Sequence, residues 1–348
     1  MSTLAHFDNT GLLPHGGRLK AAAIHFSIPL EQWLDLSTGI NTNGWPAKNL
    51  PASVWIRLPE DDDGLDAVAS RYYGADYLLP VAGSQAAIQA LPHLRAFSRV
   101  SVLHPGYAEH VHAWRRNHHA VSVVTPEQID EALPNTDVLI LIHPNNPTGA
   151  VFSVAKLLSW HAQLTERDGW LIVDEAFMDA TPEFSLSAHA SKPGLIVLRS
   201  LGKFFGLAGA RIGFVCAQLE LLKQLHHLLG PWTVNTPGRW VAIQALQDVA
   251  WQEKTRSGLL LACNRLHAML TKQHLPPAGG CAFFQWVVTR HANDLYAALA
   301  SQGILVRYIN DPPSLRFGLP AQEPDWQRLE QALTRIRHQF PSLVEYSP

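Results

Sequence analysis

The stretch that decides the fold is Ser200–Phe214, which reads SLGKFFGLAGARIGF. It sets Lys203 in a glycine-rich turn directly after an apolar run, and Arg211 follows eight residues later (211 minus 203). Taken alone, this pattern fits two interpretations equally well. It is either a surface loop with two solvated cations or a loop that presents a lysine and an arginine to a ligand, and the rest of the chain has to decide.

The middle of the chain alternates short β-branched runs with longer helical patterns, which is typical of βαβ units and a mostly parallel sheet. The predicted strands are Val100–Leu103, Ala120–Val124, Val138–His143, Trp170–Asp174, Leu195–Ser200 and Ile212–Cys216. The predicted helices are Ser84–Phe97, Tyr107–Asn117 and Val154–Arg167. Open α/β sheets bind ligands at the carboxyl ends of their strands, so polar residues that follow these strands are site candidates.

The pattern changes after Pro231-Trp232, first to long helices over 238–249 and 251–274 and then to a small α+β region. That region has predicted strands near 282–288, 304–308 and 315–317, and the stretch 275–280 is the most linker-like. We therefore expect residues 1–40 to form an amino-terminal arm and part of a small domain, 41–250 a large domain, and 251–348 a small carboxyl-terminal domain.

The overall charge argues against nucleic acids and membranes as partners. Lys and Arg total 27 against 29 for Asp and Glu, a net charge of -2, so no global basic field exists for a polyanion. No apolar run is long enough to span a bilayer, and residues 1–10 lack the features of a secretory signal, so we expect a cytoplasmic protein. The 3 cysteines have no CxxC spacing and several of the 18 histidines are adjacent pairs, so we expect no metal site.

Three further segments carry polar residues at the edge of the predicted sheet. Asp174 ends an apolar strand, where an unpaired carboxylate is costly, although a helix N-cap is the alternative. Residues 143–149, HPNNPTG, follow another strand, and a plain Asn-Pro turn is the alternative there. Gly83-Ser84-Gln85 opens a helix whose free N–H groups suit a phosphate, a common arrangement that is weak evidence by itself.

In their order along the chain, the four segments resemble the superfamily of aminotransferases that depend on pyridoxal phosphate (PLP). The branch is the one that contains histidinol-phosphate aminotransferases and the threonine-phosphate decarboxylases of cobalamin (vitamin B12) biosynthesis. The resemblance covers nearly the whole chain, and the PNNPTG and SxxKxxxxxGxR elements are specific to the superfamily rather than to one reaction. It implies an α/β fold of the aspartate-aminotransferase type (PLP fold type I), with a large, mostly parallel sheet domain that binds PLP, a smaller α+β domain, and a homodimer.

The resemblance assigns roles residue by residue. Lys203 matches the Schiff-base lysine, Asp174 the partner of the protonated pyridine nitrogen, and Tyr107 the aromatic ring that stacks on the cofactor. These three are the expected catalytic residues. The remaining cofactor contacts are expected from Asn146 at the 3' oxygen and from a set at the phosphate: Gly83, Ser84, Gln85, Ser200 and Arg211.

Two positions depart from the family pattern. Many relatives have a tyrosine on the 3' oxygen where this chain has Phe177, so that hydrogen bond is absent. Histidinol-phosphate aminotransferases carry an RYP element whose tyrosine reaches the partner subunit's cofactor phosphate, and this chain reads Arg57-Leu58-Pro59 instead. Neither change removes the electron sink that the cofactor provides.

Elements near the amino terminus separate the candidate reactions. His15-Gly16-Gly17 and Leu36–Gly44, LSTGINTNG, resemble the HGG and SxxINPxG elements of threonine-phosphate decarboxylases, with Thr42 in place of the usual proline. Residues 231–235, PWTVN, are similar to that family's PWSVN. The resemblance therefore implies that His15, Gly16, Gly17 and Asn41 contact the substrate, although a flexible arm is the alternative for the first three.

Two arginines near the carboxyl terminus complete the set of expected substrate contacts. Arg316 matches the position that receives the substrate's acidic group, and Arg307 is a second cation close in sequence. A phosphorylated amino acid carries two acidic groups, which two arginines suit. The expected reaction is decarboxylation of L-threonine O-3-phosphate to (R)-1-amino-2-propanol O-2-phosphate. A histidinol-phosphate-type aminotransferase and, less favoured, a non-catalytic PLP-binding regulator remain alternatives.

Overall fold

A computed structural model describes residues 16–47 and 49–344, and the chain divides into two compact units. The larger unit comprises Gly44–Asn146 and Ala150–Arg256. The smaller unit comprises the described residues up to Asn43, together with Pro147–Gly149 and those from Ser257 onward. The bounds expected from the sequence for the large domain were 41 and 250.

The strands of the described residues are β1 Leu34–Leu36, β2 Leu78–Val81, β3 Arg99–Leu103, β4 Ala120–Val124, β5 Val138–Ile142, β6 Trp170–Asp174, β7 Leu195–Ser200, β8 Gly213–Cys216, β9 Gly279–Cys281, β10 Phe284–Val288, β11 Ile304–Ile309 and β12 Ser314–Gly318. The α-helices are α1 Leu19–Phe26, α2 Leu65–Tyr73, α3 Ser84–Ala90, α4 Ala108–Arg116, α5 Ile129–Ala132, α6 Val154–Thr165, α7 Leu219–Leu229, α8 Thr236–Gln247, α9 Val249–Lys272, α10 Ala292–Ala300 and α11 Glu323–Gln339. None of these helices has the length and apolar character needed to cross a bilayer.

The larger unit is built on a seven-stranded sheet in the order β2-β8-β7-β6-β5-β3-β4. The pairs from β4 through β7 are all parallel, and β8 alone runs against its two neighbours. Every residue of β5 and β7 is buried, as in parallel sheets whose two faces are both covered. This arrangement brings the carboxyl ends of β5, β6 and β7 to one edge of the sheet.

The smaller unit has a five-stranded sheet in the order β1-β11-β12-β10-β9. Strand β1 pairs in parallel with β11, and the other pairs are antiparallel. The register of β11 and β12 sets Arg307 directly opposite Arg316. Two like charges at a cross-strand position destabilise a sheet unless something compensates them.

The strands predicted for the middle of the chain are confirmed to within one residue at each end. The helix predicted over Ser84–Phe97 is wrong in its second half. It ends at Ala90 and continues as a short 3₁₀ turn to Leu94, because Pro92 cannot donate a helical hydrogen bond. The linker-like stretch 275–280 already contains the first residues of β9.

Candidate active site

One pocket of the larger unit lies at the carboxyl edge of its sheet and contains every residue expected to contact the cofactor. Strands β5, β6 and β7 end there, and the loops after them supply most of the lining. The lining residues are Gly83, Ser84, Gln85, Tyr107, Ile142, Asn146, Asp174, Ala176, Phe177, Ser200, Gly202, Lys203, Ala208 and Arg211. Among the described residues, no group of His, Cys, Asp and Glu side chains could hold a metal ion.

Asp174 is the last residue of β6, and its buried carboxylate is held from two sides. Its Oδ2 lies 3.0 Å from Nε2 of His110, and its Oδ1 accepts a hydrogen bond of 3.1 Å from the backbone N–H of Ala176. His110 is also buried and was not singled out from the sequence. The available signal was its spacing from Tyr107, since residues three apart share one face of a helix.

Tyr107 is held through a chain of side chains that joins the starts of α3 and α4. Glu109 Oε2 accepts hydrogen bonds from the amides of Gln85, at 2.9 Å, and Gln89, at 3.0 Å. The Gln85 amide is thereby oriented with its oxygen toward Tyr107, whose hydroxyl donates to it at 3.1 Å. With its side chain engaged in this way, the backbone N–H of Gln85, in the first turn of α3, is the donor of this residue that suits an anion.

Lys203 follows β7 in the glycine-rich turn, and its ammonium group lies against an aromatic ring. The Nζ atom is 5.4 Å from the centre of the buried Phe177 ring. A tyrosine at position 177 would bring a hydroxyl into the same pocket. The departure noted in the sequence therefore falls beside the amine of the expected Schiff-base lysine.

Arg211 and two glycines shape the end of the pocket that suits an anion. A Cβ added to Gly83, whose φ is +74°, would lie 2.6 Å from Nη2 of Arg211. A Cβ added to Gly213 would lie 2.6 Å from the backbone nitrogen of Ser84. Only glycine at these positions lets the guanidinium and the first turn of α3 lie as close as they do.

The loop that carries Asn146 is closed by His143, the first residue after β5. His143 Nε2 accepts a hydrogen bond of 3.0 Å from the backbone N–H of Phe152. Burial lowers the pKa of His143 to about 4, so the ring is neutral at physiological pH, and the same Nε2 lies 3.1 Å from the carbonyl oxygen of Phe152. The backbone N–H of Asn145 donates to the carbonyl of Ala150 at 2.9 Å, which closes the same loop.

A buried ion cluster supports β6 and β7 next to the pocket. Arg199 donates to carboxylate oxygens of Glu175 and Asp179, the latter at 2.7 Å, and all three side chains are buried. Burial raises the pKa of Glu175 above its ordinary value, in opposition to the charge of Arg199. Because Arg199 and Glu175 adjoin Ser200 and Asp174, this cluster fixes the strand ends that present them.

The residues expected to contact the substrate belong to the smaller unit, apart from His15, which lies outside the described residues. Arg316 is buried, stacks on Phe284 with Cζ 4.9 Å from the ring centre, and donates to the carbonyl of Ser37 at 2.8 Å. Burial and then the charge of Arg307 lower the pKa of Arg316 to about 10. Asn41 is buried, and its Oδ1 accepts from the N–H of Asn43 at 3.0 Å.

Comparison with known proteins identifies the family. Residues 65–336 match the model described as aminotransferase class I and II. The chain belongs to this family. Within it, the chain is 54% identical to a threonine-phosphate decarboxylase of Pseudomonas aeruginosa, over 92% of this chain and 97% of that protein. It is 31% identical to a histidinol-phosphate aminotransferase of Blochmanniella pennsylvanica, over 54% of this chain and 53% of that protein.

Solved structures of aminotransferase class I and II relatives share the fold. The histidinol-phosphate aminotransferase of Clostridium acetobutylicum has a TM-score of 0.78 at 20% identity and covers 88% of this chain and 100% of its own. The L-threonine-O-3-phosphate decarboxylase of Porphyromonas gingivalis has a TM-score of 0.76 at 21% identity and covers 87% and 99%. The α/β fold of the aspartate-aminotransferase type that the sequence predicts is thereby confirmed.

The pocket has the chemical groups that PLP, the cofactor implied by the family resemblance, requires. A buried carboxylate, Asp174, suits a protonated pyridine nitrogen, and the amine of Lys203 suits an aldehyde carbon. Arg211, the hydroxyls of Ser84 and Ser200, and the space left by Gly83 suit a phosphate. The residues present therefore fit the cofactor.

Proposed function

We propose that this chain decarboxylates L-threonine O-3-phosphate to (R)-1-amino-2-propanol O-2-phosphate, using PLP held in the pocket of the larger unit. The observation that carries the proposal is a pocket lined by every residue expected to contact PLP, in a chain that is 54% identical to a protein named threonine-phosphate decarboxylase. The reaction would be a step of cobalamin biosynthesis.

The cofactor supplies one capability when bound, an electron sink for the pair released as the bond between Cα and the carboxylate breaks. Asp174 keeps a proton on the ring nitrogen, and His110 keeps the carboxylate in place with a hydrogen bond of 3.0 Å. The amine of Lys203 would hold the cofactor through its aldehyde carbon, and its Nζ is the group we assign to deliver a proton to Cα.

Other residues of the pocket bind and orient. Asn146 would donate to the 3' oxygen, and Tyr107, whose hydroxyl donates to Gln85, would stack on the cofactor ring. Arg211 and Ser200 would hold the phosphate, together with the backbone N–H groups of Ser84 and Gln85. Because Asn146 acts without a tyrosine at position 177, it is the one side chain that we assign to the 3' oxygen.

We assign the two acidic groups of the substrate to Arg316 and Arg307, with Gly16, Gly17 and Asn41, and His15 beyond the described residues, as further contacts. The cross-strand pairing of the two arginines supports this assignment, because their mutual repulsion is relieved when a dianion binds. Arg316 is suited to a carboxylate or a phosphate, since its guanidinium can donate two parallel hydrogen bonds.

The alternative, a histidinol-phosphate-type aminotransferase, has less support. The relative of that name matches over about half of its length, 53%, whereas the decarboxylase matches over 97%. The two functions also differ in products. A decarboxylase releases carbon dioxide and an amine, and an aminotransferase forms glutamate from 2-oxoglutarate.

The experiment supplies the purified holoenzyme with threonine phosphate, threonine, and histidinol phosphate plus 2-oxoglutarate, and measures carbon dioxide, amine and glutamate. We expect carbon dioxide from threonine phosphate and rejection of plain threonine by about 10⁴-fold, because donors built around a phosphate are left unpaired. Glutamate from histidinol phosphate without decarboxylation of threonine phosphate would establish the alternative. Equal carbon dioxide release from threonine would refute the role of the phosphate.

We further propose that the enzyme is a homodimer that works in the cytoplasm. The family resemblance supports the dimer. All three cysteines are free thiols, which suits a reducing compartment.

A further inference from the structure

Ser37 follows β1 in the smaller unit and is locked by the residue two positions before it. Asp35 Oδ1 accepts two hydrogen bonds from Ser37, one from its backbone N–H at 2.8 Å and one from its hydroxyl at 2.7 Å. Ser37 is buried. With both donors engaged by one carboxylate oxygen, the Ser37 backbone and hydroxyl have a single orientation.

The two oxygen atoms of Ser37 accept hydrogen bonds from two different parts of the unit. Its hydroxyl oxygen accepts from the backbone N–H of Gly17 at 2.8 Å, and its carbonyl oxygen accepts from Nη2 of Arg316 at 2.8 Å. The segments involved are far apart in sequence, 20 residues in one case and 279 in the other. One serine therefore connects the amino-terminal Gly16-Gly17 segment to the buried arginine.

The two glycines fit this connection for separate reasons. A Cβ added to Gly16 would lie 2.5 Å from the carbonyl oxygen of Ser37, the same atom to which Arg316 donates. Gly17 has a φ of +78°, in the left-handed region that glycine adopts without strain. Any side chain at position 16 would compete with Arg316 for the approach to this carbonyl.

We propose that Asp35 and Ser37 are positioning residues that set the Arg316 guanidinium and the Gly16-Gly17 segment together for an acidic group of the substrate. Arg316 has little freedom of its own, because Phe284 covers one face of its guanidinium and the Ser37 carbonyl fixes one nitrogen. A shift of Ser37 would therefore move both the Arg316 guanidinium and the Gly16-Gly17 segment. The assignment of Arg316 to the substrate rests on the proposed function, but the connection itself does not.

The first test measures the connection in the holoenzyme without substrate. Hydrogen exchange of the Gly17 amide is compared in wild type, Ser37→Ala, Asp35→Asn and Ser314→Ala. Ser314 is the matched control, because it is a buried serine of the same strand as Arg316 whose hydroxyl donates to the carbonyl of Pro312. We expect exchange about tenfold faster in Ser37→Ala, from the loss of one hydrogen bond. Asp35→Asn, which keeps the acceptor oxygen, and Ser314→Ala should match wild type.

The second test is a double-mutant cycle of Asp35→Ala and Arg316→Ala. Asp35→Ala should raise KM for threonine phosphate by about tenfold with kcat and cofactor affinity unchanged. It should have no further effect on KM in an Arg316→Ala background, because residues that act through one another are not additive. Asp35→Asn should restore the wild-type KM. A general loss of folding would instead lower cofactor affinity and the midpoint of thermal unfolding together.

The two tests separate this proposal from the proposed function. Unchanged exchange of the Gly17 amide in Ser37→Ala, or fully additive effects of Asp35→Ala and Arg316→Ala, would overturn the positioning role. If the holoenzyme turns over histidinol phosphate rather than threonine phosphate, the proposed function fails, and the same cycle is run on that substrate, whose phosphate is also an acidic group. Additivity there would again overturn the role.

Discussion

Asp174 places a carboxylate in a buried site, and the role we propose for it depends on both features. The carboxylate is supported by His110 and by the N–H of Ala176, so a ring nitrogen that approaches it gains a partner already fixed in place. Asp174→Asn keeps the shape and removes the charge. We expect decarboxylation to fall roughly a hundredfold, equal to about 3 kcal/mol, with the cofactor still bound by its visible absorbance.

His110→Gln provides the comparison for Asp174→Asn. It disturbs one hydrogen bond to the carboxylate and leaves the charge, so the expected loss is smaller, about tenfold. A His110 variant as inactive as Asp174→Asn would mean that the imidazole has a role of its own in proton transfer. Near-wild-type turnover of Asp174→Asn would contradict the assignment of Asp174.

The assignment of Lys203 as the Schiff-base lysine can be tested without substrate. Borohydride treatment of the holoenzyme should fix a pyridoxyl group on Lys203, which peptide mapping by mass spectrometry detects. Lys203→Ala should lose the label, whereas Lys156→Ala, which removes an exposed lysine paired with Asp130, should keep it. A pyridoxyl group found on a different lysine of the wild-type protein would refute the central assignment.

Gly83 lines the end of the pocket that suits an anion, and Gly209 lies two residues before Arg211, but the two glycines differ in their tolerance for a side chain. In Gly83→Ala the new Cβ would displace the Arg211 guanidinium and strain a backbone with φ of +74°. We expect at least about tenfold weaker PLP binding, from the disturbance of one charge-assisted hydrogen bond. In Gly209→Ala no described atom lies within 4 Å of the new Cβ, so PLP affinity should stay at the wild-type value. Reconstitution of the apoenzyme measures both, and equal affinities would show that Arg211 does not hold the phosphate.

At the scale of the elements, β6 and β7 are joined by the buried cluster of Arg199, Glu175 and Asp179. Arg199→Met would leave two buried carboxylates without their cation, and we expect a loss of about 3–5 kcal/mol in the free energy of unfolding. Arg99→Met is the control, because Arg99 also lies in a strand and pairs with Asp137 at the surface. Its effect should be far smaller. Urea unfolding measures both, and equal effects would mean that burial does not decide the strength of these pairs.

Sequence patterns identified the elements that are long or end in a motif, and missed those that depend on distant partners. Strand β1 has three residues, too few to show a period, and it exists because it pairs with β11 near the other end of the chain. The residues at the ends of β5, β6 and β7 could be predicted because parallel strands bring their carboxyl ends together. Glu109 could not, because only the packing of α4 shows which of its polar residues are buried, and the spacing of His110 from Tyr107 does not by itself show that His110 is one of them.

At the scale of the whole molecule, the smaller unit is assembled from separate parts of the chain. From the sequence we expected residues 1–40 to contribute to a small domain, whereas 147–149 fell within the expected large domain, 41–250. Its residues come from both ends and from Pro147–Gly149. A Cβ on Gly149 would lie 1.8 Å from the carbonyl oxygen of Gly280, and one on Gly279 would lie 2.1 Å from that of Thr148. The two backbones therefore meet directly, and this contact explains Gly279 and the glycine that ends HPNNPTG. Gly280 has a different reason, because its Cβ would lie 2.5 Å from the carbonyl oxygen of Phe284.

The surface of the larger unit gives the proposed homodimer a specific contact. Trp55, Ile56 and Leu58 are 67%, 84% and 61% exposed, although the segment that carries them is fixed by a hydrogen bond of 3.0 Å from the Thr236 hydroxyl to the carbonyl of Arg57. Large apolar side chains that are exposed side by side on an ordered segment are typical of protein interfaces. The segment includes the position at which related enzymes reach into the partner subunit, so a second copy of this chain is the expected occupant.

We therefore expect wild type to sediment at twice the mass of the chain and Ile56→Glu to sediment as a monomer, because a charge at the centre of an apolar contact loses its hydration when the interface forms. Phe97→Glu is the control. It replaces an apolar residue that is 72% exposed elsewhere on the same unit, and it should leave the dimer intact. Sedimentation of wild type as a monomer would refute the dimer. An Ile56→Glu variant that remains dimeric would refute only this surface, and dissociation of both variants would show that the interface extends to Phe97.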